Sequence, residues 1–143
     1  MYFEDLTLDQ TATSTNIVTQ ANINAFADVS GDHNPMHLDP EFASKTAFKG
    51  VIAHGMLSAS YISAILGTQL PGQGSVYVTQ SLKFCAPVRP DDTVLTTVRV
   101  KEIRPVGRSS GEVVLETTCQ VGDTVVLEGE AFLKVPRRVK LTS

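Results

Sequence analysis

The sequence predicts an α+β fold in which a curved antiparallel sheet of about five strands wraps around one long central helix. Three observations carry this. Helical patterning is confined to the first half of the chain and strand alternation to the second, and such segregation favours α+β with an antiparallel sheet. Residues 55–69, GMLSASYISAILGTQ, are apolar or small all the way round, and a helix with no polar face is a buried helix. The second half alternates apolar and polar residues with period two between turn signals, as strands with one face on a core do.

Taken in order, a short lead strand is expected near Asn16 to Thr19. Ile23, Phe26, Ala27 and Ser30 follow helical spacing and predict a short amphipathic helix over 20–30, with Gly31 free to end it at positive φ. Asp39 is a good N-cap and Pro40 a good first helical residue, so a second short helix starts there. Pro35 pushes Asn34 out of the helical region, which leaves Asp32 to Leu38 as an irregular turn. After the central helix, Val76, Val78, Leu82, Phe84 and Ala86 share one face of a strand, with Gln80 a polar interruption expected to satisfy backbone groups of the helix. Val94, Val98 and Val100 follow the turn-like RPDD. Val113, Leu115, Cys119 and Val121 line up next, and then Val125, Leu127, Ala131, Leu133 and Val135. PVGRSSG makes a loose hairpin between the first two of these runs, and Gly122-Asp123 a tight one between the last two.

Composition narrows the function. The 143 residues suit one domain spanning 1–143, and 42% apolar with 19% charged residues reads as globular. A net charge of −3 gives no footing for a nucleic-acid partner. No apolar run approaches a membrane span, and MYFEDLTLDQ carries acids where a signal peptide would be basic. Cys85 and Cys119 lack metal-ligand spacing and are expected to be reduced, packed thiols of a cytoplasmic protein.

The chemistry gathers in SGDHNPMH, residues 30–37. On a continuous helix, residues five apart point roughly 140° from one another. The Asn34-Pro35 break removes that constraint and allows Asp32 and His37 to converge on one water; the bland alternative is a capping Asp beside a surface His. VIAHGM, residues 51–56, then puts Gly55 at the mouth of the central helix. There the exposed N–H groups and the helix dipole suit a developing oxyanion, although Gly55 alone equally fits helix-start packing.

The run FADVSGDHNPMHLDPEFA, followed by AFKGVIAHGM and QSLKFCAPV, resembles the MaoC-like, or hydratase 2, family and its single-domain (R)-specific enoyl-CoA hydratases, over about Leu6 to Pro136. The resemblance implies a hot-dog fold, the sheet as bun and the helix as sausage, and at least a homodimer joined edge to edge. It implies reversible hydration of a trans-2-enoyl-CoA to an (R)-3-hydroxyacyl-CoA, linking β-oxidation to polyhydroxyalkanoate supply, with no metal or redox cofactor. Carried over by position, Asp32 and His37 match the catalytic pair, Asn34 the amide beside them, and Gly55 the N–H that polarises the thioester carbonyl. Ser63 matches a helix serine supporting the pair, with Ser58 and Ser60 as rivals. His33 falls at the variable position of the motif, expected to face solvent or the substrate rim, and His54 in a structural one. Lys83, Arg89, Arg104, Arg108 and the tail VPRRVK are candidates for the coenzyme A phosphates. The competing readings are a hot-dog acyl-CoA thioesterase, a (3R)-hydroxyacyl dehydratase acting on acyl carrier protein, and a non-catalytic acyl-binding domain.

Overall fold

The computed structural model describes residues 1–138. A single 3₁₀ turn, Phe3–Asp5, precedes strand β1 (Thr11–Ile17), and four helices follow: α1 (Gln20–Ser30), α2 (Pro35–Leu38), α3 (Pro40–Ser44) and α4 (Gly55–Thr68). Strands β2 (Val76–Gln80), β3 (Lys83–Phe84), β4 (Thr93–Val106), β5 (Ser110–Val121) and β6 (Thr124–Pro136) come after them. All pairings are antiparallel, in the order β1-β4-β5-β6-β2 with β3 also on β6.

The two hairpins form at the expected turns. Val106 pairs with Ser110 around Gly107, and Val121 pairs with Thr124 around Gly122, both glycines at positive φ. The inward face of the sheet carries Val98, Val100, Val113, Leu115, Cys119 and Leu133, all fully buried, against Leu57, Ile62, Ile65 and Leu66 of α4. Each such aliphatic side chain contributes about 1.5–3 kcal/mol by leaving water. One inward position differs from the simple alternation. A bulge between Cys119 and Gln120 shifts the register, so Val126 is buried at 3% exposure and Val125 is out at 38%. An extra residue in one strand reverses which side chains face the core.

Three further expectations are corrected. The lead strand is longer and earlier than Asn16–Thr19, because its TATSTNI sequence has too few apolar residues to show alternation. The stretch expected as one strand over 76–86 is two. A Cβ on Gly129 would lie 1.8 Å from the Ser81 carbonyl oxygen, so the chain crosses directly over that glycine and breaks the ladder between β2 and β3. Ser81 Oγ then accepts the Glu130 N–H at 2.9 Å. Among the described residues no strand pairs with the outer edge of β2; Val76 and Val78 on it, and Phe84 on β3, are exposed instead of on the core.

The central helix is the third. It runs fourteen residues and is buried on one face only; Met56, Ser60, Ser63, Ala64 and Gly67 are exposed. Its small, weakly polar residues allow burial without enforcing it, and the curvature of the sheet covers one side.

Candidate active site

Caps and a proline build the loop that the sequence singled out. Thr19 caps α1 in a reciprocal box with Asn22, and Gly31 ends it at φ 81°, a left-handed conformation that costs glycine little. Asn34 then caps α2, its side chain accepting the Met36 N–H at 3.1 Å, with Pro35 in the first helical position. The segment expected to be wholly irregular therefore contains one helical turn. Asn34 holds the loop, because a proline at N1 needs no hydrogen bond and its cap supplies one. Asp39 accepts the N–H groups of Glu41 and Phe42 and starts α3.

These stops put Asp32 before the turn and His37 inside it, and both line a cavity of about 560 Å³ between this loop, the N-terminus of α4 and the segment after β3. Phe26, Phe48, Val88 and Leu127 give it apolar walls. His37 is 7% exposed and its Nδ1 lies 2.7 Å from the Ile52 carbonyl oxygen. A carbonyl can only accept, so Nδ1 carries the hydrogen and Nε2 is left for the cavity. Asp32 is exposed, and its Oδ1 accepts the Asn34 N–H at 3.2 Å, leaving the other oxygen free. Donor atoms of Asp32, His37 and His54 lie within 4.8 Å of one another, and these are the side chains that could contact a shared water or ion.

Gly55 begins α4, and its N–H finds no acceptor among the described residues; His54, at the N-cap, provides no side-chain cap. A Cβ on Gly55 would meet the Phe84 ring at 2.5 Å, so the ring lies directly against the glycine. Together the site offers two acceptors converging on the space for one water, beside an open helix N-terminus that favours negative charge.

Other candidates fall elsewhere. Ser63 is exposed and outside the cavity lining, whereas Ser58, 3% exposed, lines it. The helix turns that separate the two serines decide this, and they cannot be told apart from spacing without the orientation of α4. Ser60 donates to the Leu57 carbonyl of its own helix. Gln80 does not reach α4; it donates to Ser81 O and Thr117 Oγ1, since β2 lies at the sheet edge. His33 faces solvent, 3.3 Å from Asp28. Arg89 is fastened to the Phe48 carbonyl at the cavity wall, and Lys83 sits next to Phe84. Arg104 pairs with Glu112 at 3.2 Å, and Arg137 and Arg138 pair with Glu4 and Asp5. Lys140 of the tail lies outside the described residues.

The cysteines divide. Cys119 is buried beneath α4 and burial pushes its thiol up, with a contact to Thr96 Oγ1 at 3.4 Å acting weakly the other way. Cys85, expected to be packed, is exposed and lines the cavity. Two residues were passed over in the sequence: Phe84, taken as core, and His54, taken as structural. The H-G-M triplet was the only signal for the second.

The family model described as MaoC like domain matches residues 6–121. The chain belongs to the MaoC-like family. It is 50% identical over 137 residues to an (R)-specific enoyl-CoA hydratase of Rhodospirillum rubrum, covering 96% of this chain and 93% of that one. It is 46% identical over 138 residues to a 3-hydroxybutyryl-CoA dehydratase of Methylorubrum extorquens, covering 96% and 86%. Among solved structures, this MaoC-like chain superposes on the (R)-hydratase from A. caviae involved in PHA biosynthesis with a TM-score of 0.86 at 41% identity, over 93% of this chain and 99% of that one. The hot-dog architecture is thus that of its relatives. No helix among the described residues is long and apolar enough to cross a membrane.

Proposed function

We propose that this chain, acting as a single domain, is an (R)-specific enoyl-CoA hydratase that adds water reversibly to trans-2-enoyl-CoA, giving (R)-3-hydroxyacyl-CoA. One observation supports it above the others: Asp32 and His37 offer side-chain ligand atoms within 4.8 Å of each other in one apolar-walled cavity, which the uncapped start of α4 at Gly55 also lines.

The chemistry follows from the acceptors. Water has two hydrogens, and Asp32 and His37 Nε2 can each accept one, which turns the oxygen lone pair toward C3 of the bound enoyl thioester. As the C3–O bond forms, a water proton passes to the pair and electron density moves through C2 to the thioester oxygen. The Gly55 N–H and the α4 dipole stabilise that oxygen. The enolate-like species collapses by taking a proton at C2, so atoms balance as one H and one OH across the double bond. Delivery of both from one side predicts addition to a single face. No step in this route needs a metal or a redox cofactor. A positioned acid–base pair is worth roughly 10²–10⁴ in rate and an oxyanion donor about 10²–10³.

Two statements about assembly and setting accompany this reading. The outer edge of β2 and the exposed Val76 and Val78 on it support pairing of two copies, at least as a homodimer. We propose as its setting the cytoplasm, where an (R)-3-hydroxyacyl-CoA product would divert β-oxidation intermediates into polyhydroxyalkanoate precursors.

The test follows the enoyl thioester absorbance of crotonyl-CoA and offers the product to an (R)-specific dehydrogenase. Loss of absorbance with (R)-3-hydroxybutyryl-CoA formed is the expected result. Release of free coenzyme A thiol would instead make the protein a thioesterase. Inactivity on crotonyl-CoA and longer enoyl-CoA, with activity on the acyl carrier protein thioester, would move the substrate to the carrier protein.

A further inference from the structure

His54 is 3% exposed, yet one of its ring nitrogens, Nδ1, is buried with no hydrogen-bond partner among the described residues. Its other nitrogen, Nε2, lies 3.0 Å from the backbone carbonyl oxygen of Asp32, twenty-two residues earlier. A carbonyl only accepts, so in the neutral ring the hydrogen sits on Nε2 and Nδ1 is bare. The ring stacks on that of His37, with centroids 3.9 Å apart and planes 30° apart, and the Phe26 ring lies tilted beside it with centroids 4.8 Å apart.

The pairing is reciprocal. His37, on the loop, donates to Ile52 O on the segment before α4; His54, on that segment, donates back to Asp32 O on the loop. The Ile52 N–H to Met36 O contact at 3.3 Å ties the same two strips of chain between these ends. Each histidine therefore fastens the strip that carries the other. The N-cap location adds a second consequence. Serine or aspartate, the common residues at N-caps, would turn a side-chain oxygen onto the first N–H groups of the helix. His54 turns its ring away toward Asp32 and leaves those groups open at the cavity.

We infer that His54 is a positioning residue: its Nε2–H holds the Asp32 backbone, its ring face holds the His37 imidazole plane, and its presence at the N-cap keeps the Gly55 N–H free. This rests on the hydratase reading for its kinetic test only. Groups that orient a reacting side chain from behind typically carry about 10- to 100-fold when removed.

The substitutions separate the roles. His54→Phe keeps an aromatic face against His37 and removes the donor to Asp32. His54→Gln removes the ring and places an amide N–H where Nε2 was. For hydration of crotonyl-CoA, His54→Phe is expected to lose about 10- to 100-fold in kcat with KM within about threefold, at unchanged Tm. His54→Gln is expected to recover at least part of the loss. A wholly structural His54 would instead show rate losses that track Tm, with no rescue by Gln.

A second readout does not depend on activity. Imidazole nitrogen NMR of the wild type should show the protected Nε2–H of His54 and the Nδ1–H of His37. In His54→Phe the His37 signals should shift or exchange-broaden as the loop is freed. Undisturbed His37 signals in that variant, or kcat within threefold of wild type, overturn the inference. A wild-type protein inactive on every enoyl thioester refutes the hydratase reading alone, and the NMR result then decides the positioning role.

Discussion

Gly55→Ala tests the oxyanion site with the smallest change the structure allows. The residue's φ is not in the left-handed region and α4 starts there, so alanine suits the backbone and is the better helix former by up to about 1 kcal/mol. The added Cβ would stand 2.5 Å from Cδ1 and Cε1 of Phe84, about 1 Å inside the ~3.5 Å at which carbon atoms rest against one another. Phe84 is 54% exposed on a two-residue strand, so its ring moves outward at little cost to stability. The methyl group then occupies the approach to the Gly55 N–H, the place assigned to the thioester oxygen. A displacement near 1 Å at a reacting centre costs about 10² in rate, close to the value of one oxyanion donor. Thermal unfolding by circular dichroism should therefore move by no more than a few degrees. Crotonyl-CoA hydration should fall about 100-fold, mainly in kcat, because the contact strengthens as charge develops. Activity within threefold of wild type at unchanged Tm would refute the assignment of Gly55 N–H. A large drop in Tm would refute the claim that Phe84 gives way.

Asp32→Asn retains the oxygen that accepts the Asn34 N–H but cannot take a proton from water; turnover should fall at least 10²-fold with the fold intact by circular dichroism, and more than about a tenth of wild-type activity would show that Asp32 is not the base. His37→Gln should behave alike by the same assay. Mass spectrometry after brief iodoacetamide treatment of the native protein should find Cys85 alkylated and Cys119 unmodified until denaturant is added, since Cys119 is buried and its thiol pushed up by that burial. The Tyr2 backbone N–H and, less strongly, Arg138 hold the Asp5 carboxyl below its usual range. At Glu4, burial works upward but is outweighed by its own backbone N–H, the Arg138 N–H and Arg137. Depressed folded-state carboxyls stabilise above the ordinary carboxylate pKa and lose that contribution as pH falls through their lowered values. The contact between the N-terminal turn and Arg137–Arg138 should thus persist at pH 5 and open only once the pH falls below the ordinary carboxylate range, seen as a shift of the Tyr2 amide resonance; opening near pH 6 would contradict it.

What the sequence determined by itself is local. Gly31, Asn34-Pro35, Asp39-Pro40 and Gly122-Asp123 start or stop elements because φ, a missing N–H or a side-chain cap acts within a few residues, and the folded chain keeps all four. The same locality made Asp32 and His37 legible, since the break between them is written in the residues that separate them. Tertiary structure decided whatever depends on which neighbour comes across. The crossing of Ser81 over Gly129 divides β2 from β3, and the bulge at Gln120 sends Val126 inward in place of Val125. Helical periodicity gives angles around an axis but no absolute orientation, so only packing of α4 on the sheet could put Ser58 at the cavity and leave Ser63 in solvent. His54 is the clearest case: its partner lies twenty-two residues away, and a hydrogen bond across that separation exists only after the loop and the helix start have been folded together.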